Sequence, residues 1–277
     1  WLHWASSLGW PVSTTHSIVG AVIGFGMVAG GVDAVSWSKV GKVVMSWVVS
    51  PVMGGVFAFF IFRFITHQIL NQRNPLLHAK KLLPFIVLIV CVILANSMFY
   101  KGLKHLNLDL SFATAMTYAT AIGAVGFVIS KVLVRRVEDV PIEDIHQQLV
   151  STEDIFKYLQ IITAFYVAFA HGSNDVANAV GPLAAVVSIL ESGTVQMKVE
   201  MPVWILAMGG GCIVFGLLIW GRRVMMTIGS KITEITPSRG FSAEFGAATV
   251  VLICSKMGLP ISTTHTLVGS VIGVGMA

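Results

Sequence analysis

The sequence contains the pattern Pro-x-Ser-Thr-Thr-His twice, at residues 11–16 and 260–265. Because proline ends a preceding helix and serine or threonine caps a new one, each run predicts a helix that begins inside an apolar segment. The free N–H groups and positive dipole end of such a helix favour a tetrahedral oxyanion, and the hydroxyl groups add hydrogen-bond donors. The alternative is that each run only caps its own helix. The candidate anion-binding residues are Ser13, Thr14, Thr15, Ser262, Thr263 and Thr264.

The residues that follow these two runs have predicted roles in structure rather than in binding. His16 and His265 end the runs, and we expect each to hold its turn through hydrogen bonds to the backbone rather than to relay protons. Small residues allow helices to approach closely, so the glycines after the runs are expected to form packing surfaces. These glycines are Gly20, Gly24, Gly26, Gly269, Gly273 and Gly275.

A second polar cluster, His-Gly-Ser-Asn-Asp-Val-Ala-Asn, occupies residues 171–178 of an otherwise apolar run. An ionisable residue is costly inside a membrane span and marks a functional site by default. Asn174 and Asn178 are four residues apart and share a helical face, with Asp175 beside them. Carboxylate and amide oxygens are hard ligands, which suit Na⁺ at Asp175 and Asn178 or a proton on the carboxylate. The three residues are candidate cation ligands; the alternative is a buried network that only ties helices together.

The run that holds this cluster, residues 157–190, is too long for one simple crossing of a membrane. Gly172 and Ser173 would allow a helix to unwind, and Pro182 lies further along the same run. We therefore expect a break in the helix at this cluster, with freed backbone carbonyl oxygens joining the ligands.

The composition indicates the solvent around these elements. Of the 277 residues, 55% are hydrophobic and only 11% are charged, whereas soluble domains are about 25% charged. A hydrocarbon core about 30 Å thick needs roughly 20 apolar residues as helix. The apolar runs lack both the polar faces of soluble helices and the short alternation of a β-barrel, so we predict an all-α polytopic membrane protein. The runs are residues 39–66, 83–100, 112–130, 157–190 and 203–221.

Basic residues alternate between rich and poor loops along the chain. Lys and Arg number four in 63–81, two in 101–111, four in 131–157, one in 191–202 and four in 222–240. Because cytoplasmic loops collect Lys and Arg, the three rich loops are predicted to face the cytoplasm, and a plasma (inner) membrane is the expected location. These loops account for the net charge of +5, so nucleic acid is not expected as a partner.

Residues 9–26 and 258–275 are two copies of one segment, with twelve of eighteen positions identical at an offset of 249. The segment 241–258 before the second copy is short, so we expect it to enter the membrane only halfway and turn at residues 258–260. The second helix then runs opposite to the first. Inverted repeats that meet at the bilayer midplane are typical of secondary transporters.

The predicted fold is therefore an inverted-repeat transporter with broken helices and re-entrant Ser/Thr hairpins. We expect residues 1–134 to be the C-terminal part of a first repeat and residues 157–277 the N-terminal part of a second. Residues 135–156 are rich in acidic side chains and are expected to be a cytoplasmic connector, either amphipathic or disordered.

The motifs resemble those of the PiT family of inorganic phosphate transporters. Residues 172–179 are similar to the family's Asn-Asp motif, and residues 46–51 are similar to its Ser-Trp-x-x-Ser-Pro motif. Residues 11–16 and 260–265 are similar to its Ser-Thr-Thr-His motif. The resemblance implies that the Ser/Thr turns hold phosphate, that the Asn-Asp residues hold Na⁺ or H⁺, and that the symporter is a homodimer in a lipid bilayer, with no other cofactor. It also implies that the chain is a fragment of a longer protein. A second copy of the Asn-Asp motif would lie about 76 residues before the first residue, and the last membrane spans would follow the final residue.

Three other functions remain open on the sequence. A permease for sulfate or another oxyanion would use the same donors, but HPO₄²⁻ can donate a hydrogen bond to an ionised Asp175 and SO₄²⁻ cannot. An anion channel would also be lined by broken helices, but a cation site beside the anion site favours coupled transport. An intramembrane hydrolase with Ser13 or Ser262 as nucleophile is disfavoured because duplication of the pair has no catalytic logic, so we expect no enzyme.

Overall fold

The computed structural model describes residues 1–99, 111–194, 201–257 and 261–277, and these contain helices and no strand. The α-helices are α1 (Leu2–Ser7), α2 (Thr14–Gly30), α3 (Trp37–Ile65), α4 (Pro75–Ser97), α5 (Phe112–Arg135), α6 (Ile145–Ser192), α7 (Val203–Gly216), α8 (Arg222–Lys231), α9 (Pro237–Lys256) and α10 (Thr263–Met276). A 3₁₀ turn, Val32–Ala34, links α2 to α3. Turns of π-helix continue α3 (Thr66–Leu70) and α7 (Leu217–Gly221).

Five helical stretches in the described part of the chain are long and apolar enough to cross a membrane. They correspond to the five apolar runs of the sequence, so the prediction of an all-α polytopic membrane protein is confirmed. The stretches are Trp37–Leu70, Pro75–Ser97, Phe112–Arg135, Ile145–Ser192 and Val203–Gly229.

Helices α9 and α10 form a hairpin that starts and finishes at the same end of α3. Near the start of α9, the guanidinium carbon of Arg239 lies 5.6 Å from the ring centroid of Phe62. At the end of α10, the carbonyl of Ala277 accepts a hydrogen bond from the guanidinium of Arg63 at 3.4 Å. Both arms of the hairpin are therefore anchored where α3 ends.

The hairpin turns at the level of the middle of α3. The ring of His265, in the first turn of α10, lies 4.4 Å from the ring of His16, which lies 3.8 Å from the ring of Trp47 in α3. The predicted turn at residues 258–260 itself lies outside the described residues. Both arms of the hairpin therefore run between one end of α3 and its middle, which is the geometry that a re-entrant hairpin requires.

Helices α2 and α10 run in opposite directions. Residues 269–273 of α10 pack along residues 51–55 of α3 in the same order, so these helices are parallel. Residues 16–23 of α2 face residues 39–47 of α3 in reverse order, so that pair is antiparallel. The two copies of the repeated segment are therefore inverted, as the sequence predicted.

Helix α6 runs without interruption from Ile145 to Ser192, so the predicted break at the Asn-Asp cluster is wrong. One glycine inside a helix costs only about 1 kcal/mol, which does not break a helix of 48 residues. The hydroxyl of Ser173 donates to the carbonyl of Ala170 at 3.0 Å, a bond formed within the helix. The polar side chains of the cluster find partners on other helices and need no freed carbonyl groups from α6.

The first turns of α6 belong to the segment expected to be a connector. From Ile145 onward this segment is helical and Gln148 is fully buried, so the disordered alternative is wrong there. The side-chain oxygen of Gln148 accepts from the N–H of Leu76 at 3.2 Å, and its amide nitrogen donates to the carbonyl of Val140 at 2.9 Å. These bonds tie α6 to the start of α4.

A buried apolar cluster at the same end fixes α6 against the hairpin. Phe156 of α6 and Phe241 of α9 have ring centroids 6.0 Å apart. Ile65 of α3 and Leu83 of α4 pack into the same cluster. This packing sets the position of α6, and hence of its polar cluster, relative to the start of α10.

Candidate functional site

The carboxylate of Asp175 lies where the middle of α6 meets the N-terminal ends of α2 and α10, and its side chain is 7% exposed. The hydroxyl of Thr14 donates to Oδ2 of Asp175 at 3.4 Å. The hydroxyl of Thr263 donates to the same oxygen at 2.7 Å. One buried carboxylate thus receives equivalent threonines from both inverted copies.

Two amide groups contact the other oxygen of this carboxylate. The amide nitrogens of Asn174 and Asn178 donate to Oδ1 of Asp175 at 3.0 and 3.2 Å. The amide nitrogen of Asn178 also lies 3.0 Å from the hydroxyl oxygen of Thr15, to which it donates. The predicted cation ligands and part of the predicted anion site therefore form one network.

The backbone carbonyl of Ile261, just before α10, joins this network. It accepts from the hydroxyl of Thr15 at 3.1 Å and from the amide nitrogen of Asn174 at 3.3 Å. The amide oxygen of Asn174 accepts from the hydroxyl of Ser255 at 3.3 Å. The carbonyl oxygen expected from an unwound α6 is thus supplied by the turn of the hairpin instead.

Ser13 and Ser262 cap the helices rather than contact Asp175. Their hydroxyl oxygens accept from the backbone N–H groups of His16 and His265, each at 3.1 Å. Both serines are buried, so these bonds satisfy N–H groups that water does not reach. The helices begin at the residues that the sequence predicted, and the caps aim both N-terminal ends at Asp175.

His16 and His265 contact each other across the interface between the two copies. Their rings meet edge to face at 4.4 Å. The buried Nε2 of His16 has no hydrogen-bond partner within the described residues, so this atom does not contribute to the expected hydrogen bonds to the backbone. The pair instead links the two helix starts through ring packing.

Sequence reasoning missed His171. Its Nε2 lies 2.7 Å from Oδ2 of Asp175, and its side chain is 39% exposed. The spacing of four residues on one helix was the available signal, because such residues are neighbours on a helical surface. His171 contacts the same carboxylate oxygen as Thr14 and Thr263 do.

Thr264 lies apart from the carboxylate network and lines a neighbouring cavity. This cavity has a volume of about 130 Å³, and His171 and Thr263 lie on its wall together with apolar residues of α6, α8 and α9. Of the six predicted anion-binding residues, two threonines reach Asp175 directly, one joins through Asn178, two serines cap the helices and Thr264 faces the cavity.

The site can serve both charges of an ion pair. Hydroxyl and amide donors stabilise a negative charge, and charged hydrogen bonds of this kind are the strong ones. The amides of Asn174 and Asn178 turn their nitrogens toward Asp175, so the oxygen atoms that this arrangement offers a cation are the carboxylate of Asp175 and the carbonyl of Ile261. Such oxygens suit a hard cation. No group of three or more His, Cys, Asp or Glu that could hold a metal ion occurs within the described residues.

Fold and site together define a helical membrane protein in which two inverted helix ends converge on a buried carboxylate. A family model described as the phosphate transporter family matches residues 1–277. The chain belongs to this family, which confirms the resemblance seen in its motifs.

The chain is similar to proteins named as phosphate permeases or transporters, and it spans about two thirds or less of their length. A Pyrococcus horikoshii protein that bears the name phosphate permease is 46% identical over 277 residues, which are 100% of this chain and 66% of that relative. The chloroplastic inorganic phosphate transporter 2-1 of Arabidopsis thaliana is 42% identical over 302 residues, and the match covers 100% of this chain and 50% of that transporter. A solved structure of a sodium-dependent phosphate transporter superposes with a TM-score of 0.87 at 41% identity, over 100% of this chain and 67% of that one.

Proposed function

We propose that the whole protein is a Na⁺-coupled symporter of inorganic phosphate and that the network around Asp175 is its substrate site. The observation that carries this proposal is the convergence of Thr14 and Thr263, from inverted helix ends, on one buried carboxylate. Two dipole ends that meet in this way form an anion site, and inverted repeats supply the symmetry of alternating access. Family membership and the sodium-dependent structural neighbour support the same assignment.

The hydrogen bonds suggest how coupling works. The hydroxyls of Thr14 and Thr263 donate to Asp175, and each hydroxyl has one proton to donate. They cannot donate to the carboxylate and to phosphate at the same time. A cation on the oxygens of Asp175 and Asn178 would replace these donors, free them for phosphate and offset its charge. Anion binding therefore follows cation binding.

Na⁺ is the coupling ion that these ligands favour, with H⁺ as the alternative. The carboxylate of Asp175 and the carbonyl of Ile261 lie in one network, and rotation of the Asn174 and Asn178 amides would add their oxygens. Hard cations take ligands of this kind. A proton on Asp175 would also remove its negative charge, but it would not use the amide oxygens of Asn174 and Asn178. We also propose the homodimer that the resemblance implies.

Phosphate is favoured over sulfate by the same carboxylate. HPO₄²⁻ carries a proton that it can donate to Asp175, whereas SO₄²⁻ would place only acceptors beside it. A hydrolase is not supported, because the hydroxyls of Ser13 and Ser262 accept helix-capping bonds rather than pairing with the imidazole rings.

The test is uptake of radiolabelled phosphate by the full-length protein in liposomes. We expect uptake that follows an inward Na⁺ gradient and that excess sulfate does not inhibit. Uptake driven by a proton gradient alone would replace Na⁺ by H⁺ at Asp175. Uptake that ignores both gradients would indicate a channel. No phosphate uptake under either gradient, together with uptake of radiolabelled sulfate, would indicate another oxyanion as substrate.

A further inference from the structure

A basic pocket lies between the start of α4 and the end of α5, well away from Asp175. Its volume is about 340 Å³. Four basic side chains line it, two from each helix, together with two aromatic rings. These residues are Lys80, Lys81, Lys131, Arg135, Phe85 and Phe127. The four basic residues belong to two of the three loop regions whose excess of Lys and Arg predicts a cytoplasmic location.

Most of the charge in this pocket is not neutralised by the protein. Lys80 forms an ion pair with Asp139 at 2.7 Å and donates to the carbonyl of Val137 at 2.6 Å. The side chain of Asp139 is 93% exposed, so water screens its charge. Within the described residues, no carboxylate lies within 4 Å of the other three basic groups. The pocket therefore holds an excess of positive charge suited to an anion with several acceptor oxygens.

The pocket changes from basic to apolar along the direction of the helices. Below the basic groups, Phe85 and Phe127 pack edge to face with centroids 5.1 Å apart, and the ammonium of Lys131 lies 5.7 Å from the Phe127 centroid. Phe85 is exposed, as are Val128 and Val132 on the neighbouring face of α5. An apolar surface thus leads from the basic rim toward the hydrocarbon core.

We propose that this pocket binds the phosphate-bearing headgroup of an anionic membrane lipid. Basic pockets between transmembrane helices on the cytoplasmic side recognise such headgroups. Free phosphate offers the same charge, but it has no part that would occupy the exposed aromatic and aliphatic surface below the rim. A lipid satisfies both halves of the pocket, with its phosphate at the basic groups and its acyl chains along Phe85 and α5. It bridges α4 and α5 and is independent of the Asp175 site.

Native mass spectrometry of the full-length protein, released from mixed micelles, tests this directly. The probes are phosphatidylglycerol, phosphatidylcholine and inorganic phosphate, each added alone. We expect retention of phosphatidylglycerol to be about tenfold greater than that of phosphatidylcholine. The double variant Lys131→Gln, Arg135→Gln should lose this preference. The matched control Arg136→Gln removes an adjacent basic group that does not line the pocket, and it should keep the preference.

Each contrary result would overturn the proposal. Equal retention of the two lipids would mean that the headgroup charge is not recognised. Equal loss in the control variant would mean that only the overall charge of the loop matters. Loss of phosphatidylglycerol from the wild type when inorganic phosphate is added as a competitor would reassign the pocket to free phosphate. Thermal unfolding of all variants, measured in parallel without lipid, separates loss of binding from loss of fold.

Discussion

Helices α2 and α10 have nearly the same sequence at their starts but very different surroundings along their lengths. Their first turns match, since both are capped by serine and both direct a threonine to Asp175. Beyond the first turn, Gly269 and Gly273 of α10 pack directly on the backbone of α3, whereas nothing described lies within 4 Å of a methyl group built at Gly20 or Gly24. The expected glycine packing is thus confirmed in the second copy, whereas in the first it is limited to a contact of Gly26 with the side chain of Val35.

The difference lies in what each helix packs against. Residues 51–55 of α3 offer α10 a surface with little side-chain bulk, since Gly54 and Gly55 bring backbone into contact. Within the described residues α2 meets no such surface, and Phe25 and Val28 are 74% and 90% exposed. The repeat therefore preserves the polar ends of the two helices, while the packing of their bodies depends on the partner of each.

Replacement of Gly273 by leucine tests this contrast with the largest expected effect. A side chain there would meet the backbone of Gly55, which cannot move away as a flexible side chain can. We expect a loss of about 3 kcal/mol or failure to fold, seen as a lower yield of monodisperse protein and a lower melting temperature. The equivalent change in α2, Gly24→Leu, should have little effect. An equal loss of stability in both variants would contradict this contrast, because it would mean that the bodies of α2 and α10 are packed alike.

Removal of the threonine hydroxyls tests the difference at the site itself. Thr263→Val keeps the side-chain shape and deletes the 2.7 Å hydrogen bond to Asp175, and Thr14→Val deletes the 3.4 Å bond. Hydrogen bonds to charged groups contribute roughly 1.5–3 kcal/mol, so we expect the Thr263 variant to bind phosphate at least about tenfold more weakly. Because each hydroxyl leaves Asp175 before it donates to phosphate, the shorter bond at Thr263 should instead give the larger loss of thermal stability in the purified protein without phosphate. A larger loss of stability for Thr14→Val than for Thr263→Val would mean that the longer bond is the stronger of the two.

Removal of the capping serines should have the smallest effect on stability, and the effect should be nearly the same in the two copies. Ser13→Ala and Ser262→Ala each delete an N-cap with the same 3.1 Å geometry. We expect each to reduce the free energy of unfolding by about 1 kcal/mol, measured as a shift in thermal unfolding. Abolished uptake in a variant whose melting temperature is unchanged would show that the serine contacts the substrate rather than the helix.

The sequence was sufficient to locate the polar groups but not to connect them. The Ser-Thr-Thr-His repeats predicted two inverted helix starts, and these begin at Thr14 and Thr263. The contact of His171 with Asp175 and the role of the Ile261 carbonyl depend on how α6 packs against the hairpin, which no local pattern encodes. The continuity of α6 was missed for the same reason, because packing and side-chain partners override the weak preference of one glycine.

The motif at residues 46–51 illustrates the limit of a resemblance. It matched the family pattern without indicating a role. In the structure the backbone of Pro51 supports Gly269, and Ser50 is fully buried in α3. This motif therefore serves as part of the surface on which α10 rests, a role that only the fold reveals.

The most direct test of the central claim is Na⁺-driven phosphate uptake by the full-length Asp175→Asn variant in liposomes. Asparagine keeps the size of the side chain and removes the charge that would hold the cation, so we expect uptake to fall by a factor of about ten or more, with the protein still folded by size exclusion. The matched control is Asp33→Asn, which changes an exposed carboxylate outside the site and should transport as the wild type does. Ordinary uptake by the Asp175→Asn variant would contradict the account, because the site would then bind and couple its ions without this carboxylate.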